Sequence, residues 1–455
     1  MGRDGTLDPR LLETYGGPVP RYTSYPTAPQ FRDNIGPVDY AGWLAGLTPA
    51  DGPVSLYLHI PYCRELCTYC GCNTKITRRY APIAAYVADL TAEIDLVARH
   101  LTRPPAVSHV HFGGGTPNTL GAGDFLDVMG ALRTAFRIGP ETETAVEIDP
   151  RLLTHDMAEA MAAAGVTRVS IGVQDLNERV QRAINREQPF AVVRRAVDLL
   201  RGVGIDRINL DLIYGLPLQT IDHVLRTIDR IAALEAQRIA LFGYAHVPWM
   251  KTHQRLLDGL PRADAQGRFD QAAAAALRLA RYGYRRIGLD HFAVPDDALC
   301  QALDAGRLRR NFQGYTTDTA QVLLAFGASA IGELPGGYVQ NAPDAGTYRR
   351  RIAGGELATV KGVPVDADDR RRRAVIERLM CDMTVDLEQF GGASSFADEL
   401  ARLHGMAADG LVRVDGAVVT VPEDARPLMR AVAAVFDAYL PAPGSVPVAR
   451  HSQAV

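Results

Sequence analysis

Lysine is almost missing from this chain: of its 49 basic residues, all but Lys75, Lys251 and Lys361 are arginine. Genomic base composition accounts for such a bias more simply than function does, although guanidinium forks still pair carboxylates wherever they cluster. Net charge is small as well, −3 over 455 residues, so no general attraction to nucleic acid is expected. No apolar run approaches the roughly 20 residues that span a bilayer, so no membrane anchor is expected. The opening residues Met1-Gly2-Arg3-Asp4-Gly5 lead into no apolar segment, and no secretory leader is read there. Cysteine is scarce, six in all, and Cys300 and Cys381 stand alone, as expected in a reducing cytosol. What remains is an ordinary soluble globular composition, 47% hydrophobic and 22% charged, placed in the cytoplasm. The length suits one large domain and a smaller one.

The other four cysteines crowd into Cys63-Arg64-Glu65-Leu66-Cys67-Thr68-Tyr69-Cys70-Gly71-Cys72, spaced four, three and two apart. Residues 54–61 just before them alternate like a strand. The cysteines therefore leave a strand's C-terminal end, where barrels and open α/β sheets place their chemistry. Thiolates this close share a soft metal, form disulfides or belong to a redox relay. The cytosolic reading argues against disulfides. Structural zinc normally draws on two separated pairs, and no second Cys or His pair is evident. Three thiolates on one loop fit an iron–sulfur cluster with one iron left open for a ligand.

From residue 54 to about 290 strand-like and helix-like segments alternate. Strands are expected at 54–61, 107–112, 144–149, 168–174, 207–214 and 238–246. Helices are expected at 80–100, 122–136, 154–164, 176–184, 189–203 and 220–234, with helix 264–282 and strand 285–289 extending the series. Such βα units imply parallel strands and a closed or open barrel. Polar residues bunch at strand ends: Gly113-Gly114-Gly115-Thr116-Pro117, Glu147 and Asp149, and Gln174, with Asp211 inside the fifth strand. The glycines allow close backbone approach to a ligand, or simply a turn. Those carboxylates belong either to buried networks or to ligand contacts. Residues 21–27, Arg-Tyr-Thr-Ser-Tyr-Pro-Thr, are too polar for a core strand and read as an arm, on the surface or near an active-site mouth. Asp366 to Arg373 opens a helix with acids in its first turn, and its four arginines read as a solvated surface. Helix 395–409, a hairpin on Asp415-Gly416 and helix 424–439 follow.

The spacing C-x3-C-x2-C after a strand, with Tyr69 before the third cysteine, resembles the radical S-adenosylmethionine (SAM) superfamily. The extension Cys70-Gly71-Cys72-Asn73 narrows the resemblance to the oxygen-independent coproporphyrinogen III oxidases. The likeness runs from Arg21 to about Leu440, through the 21–27 stretch, Val146-Glu147-Ile148-Asp149-Pro150-Arg151, residues 209–217 and Asn311-Phe312-Gln313-Gly314. Gly243 departs from it, standing where some relatives have Asn. The resemblance implies an α/β fold: a partial (β/α)6 barrel at 51–365, an N-terminal arm at 1–50, and a smaller, mainly helical, winged-helix-like domain with a hairpin at 366–440. A disordered tail is expected at 441–455.

It further implies a [4Fe–4S] cluster on Cys63, Cys67 and Cys70, and two SAM molecules contacted by Tyr57, Tyr69, Gly114, Gly115, Thr116, Glu147, Gln174, Arg186, Asp211, Ala245 and Ile331. Cys72 would be a group beside substrate or radical, or else a small buried thiol. The implied activity converts two propionates of coproporphyrinogen III to vinyl groups through a 5′-deoxyadenosyl radical. The implied protein is a monomer reduced by a donor such as flavodoxin or ferredoxin, with no nucleic-acid or membrane partner. Two rival readings are a haem-binding chaperone of the same family and a winged-helix redox regulator. The chaperones typically have Phe in place of Cys72 and lack the arm motif; the SAM-contact set argues against the regulator.

Overall fold

The computed structural model describes residues 9–440, so the expected tail at 441–455 lies outside it. All six expected parallel strands form, as Val54–Ile60, Ala106–Gly114, Arg137–Ile148, Arg168–Gln174, Arg207–Tyr214 and Arg238–Gly243, lying side by side in chain order. Every neighbouring pair among them is parallel. Val, Ile and Leu alternate with polar residues along these strands, because helices bury the outer face while the inner face borders the cavities. Helices Ala81–His100, Ala122–Ala135, His155–Ala163, Phe190–Gly202 and Ile221–Ala232 supply that cover. Their buried side chains and those of the strands form one continuous core. The sheet ends in different strands on its two sides, so the barrel is partial and open.

The series does not extend as expected beyond the sixth strand. Arg285–Ile287 is the outer strand of an antiparallel hairpin with His291–Ala293, which itself runs antiparallel to the sixth strand. Three residues join the two, far short of a parallel crossover. A seventh parallel strand, Val322–Phe326, appears instead at the opposite side, against the first. Antiparallel strands Ile331–Leu334, Gly337–Asn341 and Thr359–Pro364 continue outward from it.

A second core gathers the C-terminal segments, and two tyrosines of the arm belong to it. Tyr22 and Tyr25 are 5% and 1% exposed, so this stretch is not laid on the surface. The Tyr22 hydroxyl donates to Asp437, Tyr25 accepts from the Ala438 N–H, and Arg430 donates to the carbonyls of Val19 and Pro20. The expected hairpin forms as Arg413–Asp415 and Val418–Thr420, and Thr384–Asp386 adds a third strand. The expected helix 424–439 is broken into Glu423–Leu428, Met429–Ala433 and Ala434–Phe436, the outer two being 3-10 turns. Pro427 lies inside the first piece, where it lacks an N–H to donate.

The four arginines at 370–373 are not a solvated face. Arg373 forks onto Glu333 of the barrel sheet, and Arg372 bridges Asp368, Glu399 and the Phe436 carbonyl. Arg370 donates to the Pro335 carbonyl. Helix Ala367–Asp382 is thus fastened to the barrel sheet by its charged side, while its apolar side packs in the C-terminal core.

One buried acid ties both faces of the barrel wall. Glu93 sits among the apolar residues of helix Ala81–His100 at 1% exposure. It accepts from the Gly327 N–H (2.6 Å), the Asn341 amide (2.6 Å) and the Tyr348 hydroxyl (2.7 Å). Burial outweighs these donors and pushes Glu93 up to about 7. In the unfolded chain a glutamate titrates near about 4.3. Between those values the folded state holds the extra proton, so stability falls as pH rises through that window, by at most about 1.4 kcal/mol per pH unit. Glu93→Gln removes the titration. Its melting temperature should therefore recover relative to wild type as pH rises from 5 to 8, and a constant difference across that range would refute this assignment.

Candidate active site

The first strand delivers the chain into the cysteine loop, and a two-residue parallel bridge closes the loop's base, Tyr62–Cys63 against Lys75–Ile76. Between them the chain has no regular structure, yet its carbonyls are satisfied from outside. The Asn185 amide donates to Leu66 (2.8 Å), Gln254 to Tyr69 (2.8 Å), His253 to Cys70 (2.8 Å), Lys251 to Cys72 (2.8 Å) and His59 to Asn73 (3.0 Å). The short 3-10 segment Thr252–Leu257 supplies two of these donors and lies over the loop. Unpaired, each such carbonyl would pull the loop toward solvent.

Cys63, Cys67, Cys70 and Cys72 all line one cavity of about 730 Å³. Cys63 lies 3.2 Å from the Thr116 hydroxyl, Cys67 accepts from Arg186 at 3.7 Å, and Cys70 from the Cys72 N–H at 3.4 Å. Burial pushes the Cys63 thiol up to about 11, whereas hydrogen bonding from Cys72 brings Cys70 down to about 6. Cys67 is buried and Cys72 exposed.

The opposite walls come from strand ends. Glu147, at the end of the third strand, meets the His111 ring nitrogen at 2.9 Å and accepts from the Gly114 N–H at 3.3 Å. Tyr57 stacks on His111 with centroids 5.9 Å apart. Its hydroxyl lies 3.0 Å from His59 Nδ1, while His59 Nε2 faces the Asn73 carbonyl. The carbonyl can only accept, so Nε2 carries the proton, and burial keeps this ring neutral. Asp211 accepts from Ser170 (2.8 Å) and Asn209 (2.9 Å), and burial pushes it up to about 6. Gln174 ends the fourth strand with φ of 64°, a left-handed conformation that costs energy away from glycine.

Arg186 is 8% exposed and joins the cysteine loop to the barrel. It donates to Asp149 (3.1 Å), to the Gly172 carbonyl (2.8 Å) and to Cys67, while its Nε has no partner. Burial alone would raise Asp149, yet Arg186 and the bidentate Arg151 hold it below the usual carboxylate range. Gly115 leaves no room for a side chain: a Cβ there would sit 2.8 Å from the Tyr62 carbonyl. At Gly114, with φ of 111°, a Cβ would meet the His59 ring at 2.7 Å. Both glycines admit the protein's own groups beside the cavity.

Cys63, Cys67, Cys70, Cys72, Tyr69, Gly114, Gly115, Thr116, Glu147, Gln174, Arg186 and Asp211 thus share one cavity. Tyr57 stands behind Glu147 through His111. Ala245 lines a neighbouring chamber and is linked to Tyr69 by Gln254, which donates to both carbonyls. Ile331 lies on the added sheet, packed with Phe31, Tyr338 and Phe312. Sequence reasoning missed His59, His111, Lys251, His253 and Gln254. A lysine, a histidine and a glutamine within four residues of an arginine-rich chain were the available signal for the last three.

The donor set suits an iron–sulfur cluster: three soft thiol ligands from one loop, no fourth cysteine required, and open space before them. An orphaned guanidinium N–H beside Cys67 suits an anionic group there.

Residues 57–231 match the family model described as the Radical SAM superfamily. The chain is 50% identical over 451 residues to the oxygen-independent coproporphyrinogen III oxidase of Bradyrhizobium diazoefficiens, covering 98% of this chain and 99% of that one. It is 41% identical to the enzyme of the same name from Pseudomonas aeruginosa, covering 95% and 96%. Among solved structures it resembles the coproporphyrinogen III oxidase (HemN) of Escherichia coli, a radical SAM enzyme, with a TM-score of 0.88, 36% identity, and 95% and 99% of the two chains covered. This chain belongs to the radical SAM superfamily and, within it, to the oxygen-independent coproporphyrinogen III oxidases.

Proposed function

We propose that this chain oxidatively decarboxylates two propionates of coproporphyrinogen III to vinyl groups without oxygen, giving protoporphyrinogen IX. The observation that carries this reading is the convergence of three cysteine thiols and the polar ends of four barrel strands on one cavity. Each propionate loses a β-hydrogen atom, CO2 and one electron, and a vinyl group remains. Cys63, Cys67 and Cys70 would hold the [4Fe–4S] cluster, and Tyr69, Gly114, Gly115, Thr116, Glu147, Gln174, Arg186 and Asp211 would hold SAM, with Tyr57, Ala245 and Ile331 assigned to the same pair of SAM molecules. When bound, the cluster and SAM supply the 5′-deoxyadenosyl radical that takes the β-hydrogen.

The chain's own residues orient and enclose. Arg186 and Asp149 fix the cysteine loop to the third and fourth strands, so thiols and strand ends keep one spacing. His111 holds Glu147, and neutral His59 holds the Tyr57 that stacks on His111, so the cavity-facing carboxylate does not need to reorient. We assign Cys72, exposed on the loop and lining the cavity, to a position beside the substrate's approach. We read residues 51–365 as the catalytic domain and 366–440 as a cover domain, on the strength of the two separate cores. We also read the enzyme as a cytoplasmic monomer reduced by flavodoxin or ferredoxin. No helix among the described residues is long and apolar enough to cross a membrane.

Cys63→Ser, Cys67→Ser and Cys70→Ser should each abolish the cluster, and Cys72→Ser should retain it. Iron and sulfide analysis with electron paramagnetic resonance decides this, and loss of the cluster with Cys72 alone would overturn the ligand assignment. Glu147→Gln and Asp211→Asn should keep the cluster but bind SAM about ten- to a hundredfold more weakly, the size of a lost charge-assisted hydrogen bond. Because Asp211 ionises only above about 6, wild-type SAM affinity should rise from pH 5 to 7, and the Asp211→Asn profile should stay flat. Cys72→Phe should leave cluster content unchanged while turnover collapses, because a ring at the cavity mouth occupies the space through which substrate approaches. Tight haem binding by wild type with no CO2 release under strict anaerobiosis would instead favour the chaperone.

A further inference from the structure

A cavity larger than the one the cysteines line lies beside it. A chamber of about 1030 Å³ opens between the ends of the fifth and sixth strands, helix Ala265–Arg281, the arm and the C-terminal segments. Phe242 lines both cavities and divides them. Six arginines face the chamber: Arg21, Arg262, Arg268, Arg286, Arg310 and Arg430. They come from the arm, the barrel, the hairpin side and the C-terminal core, so no single helix accounts for the clustering.

Four carboxylates also face it, but three are already engaged. Asp264 caps its helix through the Gly267 N–H, Asp290 is held by His291 at 2.8 Å, and Glu423 pairs with Arg426. The fourth, Asp424, is exposed. Several guanidinium N–H groups are left over. Arg268 spends Nη1 on the Tyr244 carbonyl (2.7 Å), and its Nε has no partner. Arg286 spends Nη2 on the Leu289 carbonyl (3.1 Å), and its Nε has none. Arg310 is 8% exposed, its Nη1 stands 3.8 Å from Asp290, and neither its Nε nor that Nη1 has a hydrogen-bond partner. Burial, with neighbouring arginines adding to it, lowers Arg286 to about 10 and Arg430 to about 9. Gly243 fits this arrangement: a Cβ there would meet the Tyr214 hydroxyl at 2.9 Å and the Arg268 guanidinium at 3.0 Å.

Buried guanidinium forks with unspent donors are matched by carboxylates, which accept in the same planar geometry. One small anion would answer one fork; donors spread over several elements call for a ligand with several carboxylates. Leu241, Phe269, Ala276 and Phe292 add an apolar wall to the same chamber. The volume sits at the upper end of the range for small-molecule sites, about 300–1,000 Å³.

We propose that this arginine chamber seats the carboxylates of those substrate propionates that are not being decarboxylated, while the reacting propionate reaches past Phe242 toward the cysteine cavity. The proposal rests on the function assigned above. It gives Arg268, Arg286 and Arg310 a positioning part: they set which edge of a tetracarboxylate macrocycle faces the cluster.

The test uses the cluster-reconstituted full chain and two fluorescent probes, coproporphyrin III and its tetramethyl ester, which lacks the charges. Arg268→Gln and Arg286→Gln should each weaken coproporphyrin III binding by about tenfold or more, leaving SAM binding, cluster content and ester binding unchanged. Arg286→Lys should recover part of the loss, since it restores charge without the fork. Wild-type release of CO2 from coproporphyrinogen III is measured alongside. Unchanged coproporphyrin III binding in both Gln variants, with an active wild type, would overturn the chamber and leave the function standing. Arginine-dependent binding by a wild type that releases no CO2 would overturn the function and leave the chamber standing. Equal losses for the ester and the free acid would show a packing defect and overturn the proposal.

Discussion

Three thiols have to face one space from a stretch of chain with no helix or strand of its own, and most of this site follows from how that stretch is held. Backbone groups of an irregular loop cannot satisfy one another, so they must find water or side chains. Here side chains from residues 59, 185, 251, 253 and 254 take the loop carbonyls, and Arg186 takes a thiol. The barrel matters because it brings these donors, far apart in sequence, to one rim. Asp149, itself held by Arg151, then holds Arg186, so the loop inherits the rigidity of the sheet.

The barrel was legible because its cause is local. Strands covered on one face by helices carry apolar side chains at every second position, and the helices between them show a 3.6-residue period, so both patterns survive in the bare sequence. Val322–Phe326 was not legible as a parallel strand, since its place beside the first strand depends on a return across the whole sheet. The hairpin at Arg285–Ile287 looked like another βα unit because three strand-like residues carry no information on direction. The arginines at 370–373 misled for a related reason: charge on a helix reads as solvent exposure until a partner such as Glu333 is known. Glu93 was hidden in the same way inside an apolar period. At the site, the cysteine spacing was unmistakable, while the side chains that pin it were not, because a carbonyl's partner leaves no periodic trace.

The two chambers differ in charge. Around the cysteines Arg64, Arg78, Arg151 and Arg186 line the cavity together with Glu65, Glu147, Asp149 and Asp211, so the signs balance. Across Phe242 six arginines face four carboxylates, and the excess of positive charge lies on that side. A polyanionic substrate lying across the boundary is favoured with its free carboxylates toward the arginines over the reverse orientation.

The bond between Tyr22 and Asp437 joins residues 415 positions apart. During synthesis the arm precedes the last described segment by the whole barrel, so the bonds from Tyr22 to Asp437 and from Ala438 to Tyr25 wait for that segment to follow. The barrel, whose strands succeed one another in order, can form in the interval, since domains fold as units while the chain grows. For that interval the arginine chamber lacks the wall carrying Arg430 and Pro427 and stands open. The order of translation therefore separates two events in time, the folding of the strands that carry the thiol loop and the closing of the chamber beside it.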